Sequence, residues 1–261
     1  MKFKTLKEKC EYYRGLTDYK LLPGTYVLVM LDGRSFSKVI KKRFKLPFDE
    51  QFIEIMNSTA AYVCSKVQGA KFAYIQSDEI SILLTDFDTL KTDTFFGNRL
   101  CKILSIIPSI ATGYFNKRLF QLYPDEDIEP VQFDAKAWNV PTFNDVYAWF
   151  LYRQLDCIRN SKQQVAQQYF SHKQLEDKSA DEQVQLLKDS KTVDWWHDFN
   201  DGEKFGRFVW KEVEIKTNEF SPEPFERHIW KSKYAWELSN KDYGKDRFYN
   251  IPGTPKIERV D

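Results

Sequence analysis

Two acids separated widely along the chain could share one chemistry. Asp32 closes the apolar run TYVLVMLD over residues 25–32, and Asp78 stands between KFAYIQ and EISILL. If those runs are neighbouring strands, the two carboxylates meet at one sheet edge. Close carboxylates repel unless one keeps its proton or a cation sits between them. Oxygen ligands without histidine or thiolate suit Mg²⁺, which retains waters and substrate phosphate oxygens in its shell. Two such ions would activate a hydroxyl and steady a leaving oxygen in phosphoryl transfer. The plain alternative is that both acids occupy turn positions, where aspartate is common.

The residues after Asp32 read Gly33, Arg34, Ser35, Phe36 and Ser37. Gly33 lets the backbone turn sharply and approach a ligand closely. Successive N–H groups from Arg34, Ser35 and Phe36 would form a nest for a triphosphate. One glycine after a strand is also simply a turn, and the chain has no Walker A motif and no GxGxxG. Lys38, Lys41, Lys42, Arg43 and Lys45 follow as the densest basic cluster. It reads as a contact for RNA or nucleotide phosphates, or as a solvated loop. Arg99 and Lys102 lie three apart, on one face of a helix start, as a phosphate clamp or as ordinary helix surface.

The elements that must position these groups follow from periodicity. Residues 25–32 predict a buried strand after the Pro23-Gly24 turn. Residues 49–67 predict a helix capped by Asp49 and stopped by Gly69, with Phe52, Ile53, Met56, Ala60, Val63, Cys64 and Val67 inward. Residues 71–86 predict a hairpin with Ser77 and Asp78 at its tip. If its residues alternate, Glu79 points away from Asp78. Residues 97–119 predict a helix that Pro108 kinks or splits, and residues 130–138 another strand.

That order, βαββαβ, is the ferredoxin-like arrangement, an α/β (α+β) fold with an antiparallel sheet. One sheet face carries the helices, and the other is free for a substrate or for the rest of the chain. RNA-recognition modules and polymerase palms both use this layout. The pattern changes near Pro141, dividing a palm-like segment 1–140 from a mostly helical extension 141–261. The extension predicts a helix over 142–170 with Val146, Trp149, Phe150 and Tyr169 inward. A second helix opens on the capping box Ser179 to Glu182. A strand follows at 207–215, and the remainder, with Pro222, Pro224, Pro252 and Pro255, reads as loops and short elements.

Composition bounds the rest. The chain's 39 Lys and Arg against 38 Asp and Glu give a formal net charge of +1, so any polyanion site must come from local clustering. No apolar run approaches the roughly 18 residues of a membrane span, and no secretory signal pattern is present. Cys10, Cys64, Cys101 and Cys157 lack zinc spacing; Cys64 and Cys101 fall in apolar helical patterns as buried thiols. The expected compartment is cytoplasmic. Five of the seven tryptophans fall between Trp195 and Trp236, as core or as interface.

The segments LDGRSFSKV, LPFDEQFIEIMNSTA, AYIQSDEISILL and RLCKILSIIPS, followed by FDAKAW and RQLDCIRNS, resemble the tRNA-His guanylyltransferase superfamily. The likeness runs from about Tyr26 to Leu187. It implies a polymerase-type palm that adds nucleotides to tRNA 5′ ends in the 3′–5′ direction. It implies two Mg²⁺ ions on Asp32, the Gly33 carbonyl and Asp78. It implies nucleotide held by Asp32, Gly33, Arg34, Ser35, Phe36, Ser37, Ser77 and Asp78, with Arg99 and Lys102 near the triphosphate. ATP or GTP first activates the tRNA 5′-monophosphate; the 3′-hydroxyl of an incoming nucleoside triphosphate then attacks that end. Lys38, Lys42, Arg43, Arg153, Arg159 and Asn160 are expected toward tRNA or the activating nucleotide, and the family tends toward tetramers.

The chain departs from the eukaryotic pattern at Met30, Ser37 and Cys157-Ile158-Arg159-Asn160. That looks like the bacterial and archaeal branch associated with template-dependent repair of 5′-truncated tRNA. The competing expectations are a palm-type nucleotide cyclase and a non-catalytic RNA-binding module, with Phe72 and Tyr74 as its stacking rings.

Overall fold

The computed structural model describes residues 2–34, 36–89, 91–218 and 221–255. Its strands are β1 (Tyr26–Arg34), β2 (Ala70–Gln76), β3 (Glu79–Leu84), β4 (Gln132–Val140), β5 (Arg207–Asn218) and β6 (Ser221–Tyr234). Its helices are α1 (Leu6–Gly15), α2 (Phe36–Arg43), α3 (Glu50–Lys66), α4 (Leu100–Leu122), α5 (Phe143–Ala166), α6 (His172–Leu175), α7 (Ala180–Lys191), α8 (Trp195–Asp198), α9 (Asp201–Phe205) and α10 (Gly244–Tyr249). The strands form one antiparallel sheet in the order β4-β1-β3-β2-β5-β6.

The first four strands with α3 and α4 are the expected βαββαβ core. β1 pairs with β3 from Val27–Leu84 to Leu31–Ile80, so the strand bearing Asp32 and the hairpin bearing Asp78 are neighbours. Alternation along β1 explains the burial on both sides. Val27, Val29 and Leu31 enter a core with α3 and α4, while Tyr26 and Leu28 enter a second core. A strand covered on both faces reads as an unbroken apolar run. α3 starts where expected: the Asp49 carboxylate accepts from the N–H groups of Gln51 and Phe52.

The chain after Pro141 fills the second face. α5 lays Val146 and Phe150 on it, joined by Trp195, Phe205, Phe208, Trp236 and Phe248. The extension is therefore not only helical. β5 pairs with β2 and β6 with β5, carrying the sheet from four strands to six. Part of the proline-bearing stretch expected as loops and short elements, from Ser221 to Tyr234, is instead the edge strand β6, because an edge strand tolerates proline where its N–H would face solvent; around Pro252 and Pro255 the chain is loop as expected.

Other expectations need correction. α4 runs continuously through Pro108, so of the kink or split expected there the split does not occur. Cys101 is exposed, although Cys64 is buried as expected, and all four cysteines are free. Tyr169 lies beyond α5 and is exposed. The tryptophans mostly serve the core: Trp195 and Trp236 are buried, whereas Trp196 is about half exposed. Among the described residues no helix is long and apolar enough to cross a membrane.

Phe150 meets Phe72, Tyr74, Phe208 and Phe248 at ring-centroid distances of 4.9–6.3 Å and is fully buried. Phe150→Ala is expected to cost about 3–5 kcal/mol in urea unfolding. Leu6→Ala, on α1 with its side chain open to solvent, is expected to cost well under about 1 kcal/mol. Equal losses in the two variants would show that the extension does not brace the sheet through this ring cluster.

Candidate active site at the ends of β1 and β3

Asp32 does not end its strand. β1 continues through Gly33 and Arg34, pairing Asp32 with Asp134, Gly33 with Phe133 and Arg34 with Gln132 on β4. Gly33 is therefore not the turn expected from sequence. Its value is close approach: a Cβ there would lie 2.5 Å from the Phe36 ring and 2.8 Å from Asp78 Oδ2. The missing side chain lets the Asp78 carboxylate settle over β1. The turn belongs to Ser77, whose φ of 46° lies where non-glycine residues are rarely found. Such strain costs of order 1–3 kcal/mol and persists only where the surroundings enforce it.

The two aspartates share one local field. Burial pushes the Asp78 carboxyl up to about 6, its own N–H and the Ser77 hydroxyl hold it down, and the Asp32 charge pushes it up further. Asp32 is raised as well, first by burial and then by Asp134, against the pull of the Gly33 N–H, Arg153 and Lys136. Asp134 is a third acid that sequence reasoning misses, although its alternation with Phe133 in FDAKAW is an available signal.

Glu79 points to the α5 side of the sheet, as alternation requires. Arg153 grips it with two hydrogen bonds, Nε to Oε1 at 2.8 Å and Nη2 to Oε2 at 2.6 Å. Arg153 also holds Asp156, so its guanidinium is engaged inside the molecule rather than presented to a partner. Among the described residues no ion pair includes Asp32 or Asp78. Two adjacent carboxylates without a paired cation, one holding its proton abnormally tightly, are a donor set suited to a hard divalent ion. Asp32, Asp78 and the Gly33 carbonyl would hold Mg²⁺. No group of three or more His, Cys, Asp or Glu side chains gathers for a metal among the described residues, so waters and phosphate oxygens would complete the shell.

A cleft of about 300 Å³ opens beside the hairpin tip. Phe44, Pro47, Phe48 and Phe52 form its apolar wall, with Gln76, Ser77 and Asp78 at one end and Asn160 and Gln164 from α5 opposite. The basic cluster next to it is a helix, α2, rather than a loop. Lys38 and Lys42 are exposed on it, while Arg43 pairs with Glu126 at 2.9 Å. Arg34 is exposed at the end of β1. Ser35 lies outside the described residues, and of Ser37 only the backbone in α2 is described. The Phe36 ring is core, packed on Phe115 and Phe133, and contributes no ring surface to the cleft.

Arg99 and Lys102 are not brought to this edge within one chain. Arg99 caps α4 and bonds Asp18 at 2.8 Å, and Lys102 lies over the Phe96 ring. The second half of α4, where Thr112 and Asn116 bond Phe133 and Val131, is the part near Gly33. The separation is roughly 15–20 Å along the helix. Arg159 is exposed and pairs with Asp156, and Asn160 reaches the cleft.

In chelator, the folded chain binds the Asp78 proton more tightly than the unfolded chain does. Stability is therefore expected to fall as pH rises from about 4 to about 6 and to stay lower above that. Asp78→Asn removes this loss. The variant is expected to match its parent near pH 4 and to exceed it by on the order of 2 kcal/mol at pH 7.5. Mg²⁺ should then raise the parent's stability alone. Parallel urea-unfolding stabilities for the two proteins across this range would rule out the strained carboxyl pair.

Comparison with known proteins shows the family and the fold. A family model described as tRNAHis guanylyltransferase matches residues 6–141. A bacterial tRNA(His) guanylyltransferase-like protein in complex with ATP superposes with a TM-score of 0.81 at 32% identity, covering 95% of this chain and 97% of that one. A bacterial tRNA(His) guanylyltransferase-like protein in complex with GTP gives 0.74 at 30% identity, covering 94% and 96%. The tRNA(His) guanylyltransferase 1 of Arabidopsis thaliana is 32% identical over 145 residues, 55% of this chain and 25% of that protein. This chain thus spans about a quarter of that plant relative's length. With half of its residues under the family model and nearly all of them on the bacterial fold, the chain belongs to the tRNAHis guanylyltransferase family.

Proposed function

We propose that this chain is a Mg²⁺-dependent nucleotidyltransferase that extends the 5′ end of tRNA in the 3′–5′ direction. The observation that carries this reading is the pairing of Asp32 with Asp78 beside an apolar cleft, with neither acid neutralised by an ion pair among the described residues. The bound metal would polarise phosphate oxygens and lower the pKa of the attacking 3′-hydroxyl. Asp32, Asp78 and the Gly33 carbonyl hold the cations, and Arg34, Lys38 and Lys42 meet phosphates. The nucleoside lies in the cleft, stacked against its phenylalanines, with Ser77 and Asn160 at its rim. ATP and GTP, carried by the two bacterial relatives, serve as activating and incoming nucleotides.

Repair of truncated tRNA by template-directed addition is favoured over untemplated G addition by Met30, Ser37 and the Cys157 to Asn160 segment, which depart from the eukaryotic pattern. A purely RNA-binding module is disfavoured by burial: Phe72 and Tyr74 are fully covered, so neither offers a base a stacking surface. We also read the active form as a homo-oligomer working in the cytoplasm. α1 buries none of its residues, and Arg99 and Lys102 would reach a triphosphate only from a second copy.

Incubation with 5′-truncated tRNAs and labelled nucleotides tests the reading. The expected products follow the opposing strand of the acceptor stem and require Mg²⁺. Asp78→Ala is expected to lower addition by at least about a thousandfold while tRNA retention on a filter stays unchanged. Activity surviving in that variant would remove the metal assignment, and addition of G alone on every template would remove the repair reading.

A further inference from the structure

Arg207 stands at the wall of the cleft and forms no ion pair among the described residues. It opens β5 opposite Ile75, two residues before the Ser77-Asp78 tip, and is about 5% exposed. Its Nε donates to Asn57 Oδ1 at 2.9 Å and its Nη1 to the Gly202 carbonyl at 3.1 Å. Both acceptors are neutral, and among the described residues Arg207 forms no ion pair. Of the three acids that line the same cleft, Asp78 sits at the hairpin tip and forms no ion pair with Arg207, and the other two are engaged elsewhere. Asp49 caps α3 and also accepts from the Lys45 N–H; Glu203 accepts from the Asn200 N–H in the cap of α9. Burial lowers the Arg207 pKa, and the nearby Glu203 charge offsets this only in part. A buried charge of this kind is costly unless something pairs or hydrogen-bonds with it.

We propose that Arg207 reads the nucleobase in this cleft, donating to the paired acceptors O6 and N7 of guanine. The inference rests on the cleft being the site of the activating nucleoside, since a templated incoming nucleotide must vary. Two of the five guanidinium N–H groups are spent on Asn57 and Gly202, and among the described residues none bonds a carboxylate. A phosphate there would lie among the Asp49 and Glu203 carboxylates, which line the same space. A planar, neutral ring suits the walls better, with Phe44, Phe48 and Phe52 to pack on. Guanine offers the arginine fork two acceptors side by side, whereas adenine replaces one of them with an amino donor. The fixed fork, held by α3 on one side and by α9 on the other, selects between the purines without moving.

Binding of GTP, ITP, 7-deaza-GTP and ATP to the full chain in Mg²⁺, followed by calorimetry, tests this. Inosine keeps both acceptors, so ITP is expected within about twofold of GTP. The 7-deaza analogue and ATP each lose one acceptor and are expected to bind roughly tenfold more weakly. Arg207→Met, of similar length but without donors, should bring GTP down to the ATP level and leave ATP unchanged. Wild-type protein that binds all four alike, or a folded Arg207→Met that keeps the preference, overturns the proposal. Gln164→Trp, which fills the cleft from α5, separates the role of Arg207 from the placement of the nucleoside. If it leaves GTP and ATP binding intact, the nucleoside sits elsewhere and both readings fall. If it abolishes both while Arg207→Met keeps the preference, only the role of Arg207 falls.

Discussion

The register between β1 and β3 is the constraint on which the site depends. Leu31 faces Ile80 across that pair, and two residues further on Gly33 comes alongside Asp78. A slip of one residue would turn Asp32 to the opposite face and drive its neighbours out of both cores. Those cores secure the register, since Tyr26 and Leu28 are committed to one side of the sheet and Val27, Val29 and Leu31 to the other. The apolar packing thus fixes the separation of two charges that would otherwise move apart. The sheet's stability holds the carboxylates in mutual repulsion, and a divalent cation is the natural relief.

Much of this is legible in the sequence because the signals are local. The run ending at Asp32, the Asp49 cap, the hairpin around Ser77-Asp78 and the capping box at Ser179 each rest on neighbours a few residues away. What escapes depends on distant partners. β6 carries polar residues and prolines, and only its place at the sheet edge makes it a strand. Gly33 stands out in the sequence as a turn, yet its neighbour in space is Asp78, and close approach is what it supplies. Arg153 reads as a free cation on a polar helix face, and only the fold brings Glu79 up beneath it.

The same limit explains the cleft. Its walls come from the stretch after α2, the start of α3, the hairpin tip, α5 and the α9–β5 junction. No spacing rule joins Phe48 to Gln164 or to Arg207. Arg99 and Lys102 make the opposite case: Lys102 lies on α4 while Arg99 is its extended N-cap, and this end of α4 is the one remote from the acids.

The position of β5 has a consequence for synthesis. β2, with its apolar sequence AKFAYIQ, is the outer strand of the four-stranded core until Arg207–Trp210 arrive to pair with it. At typical elongation rates the ribosome needs on the order of ten seconds to supply that partner. For that interval an unpaired, hydrophobic strand edge is open to neighbouring nascent chains. Late delivery of its capping strand makes the newborn polypeptide a natural client for chaperones, well before any question of catalysis arises.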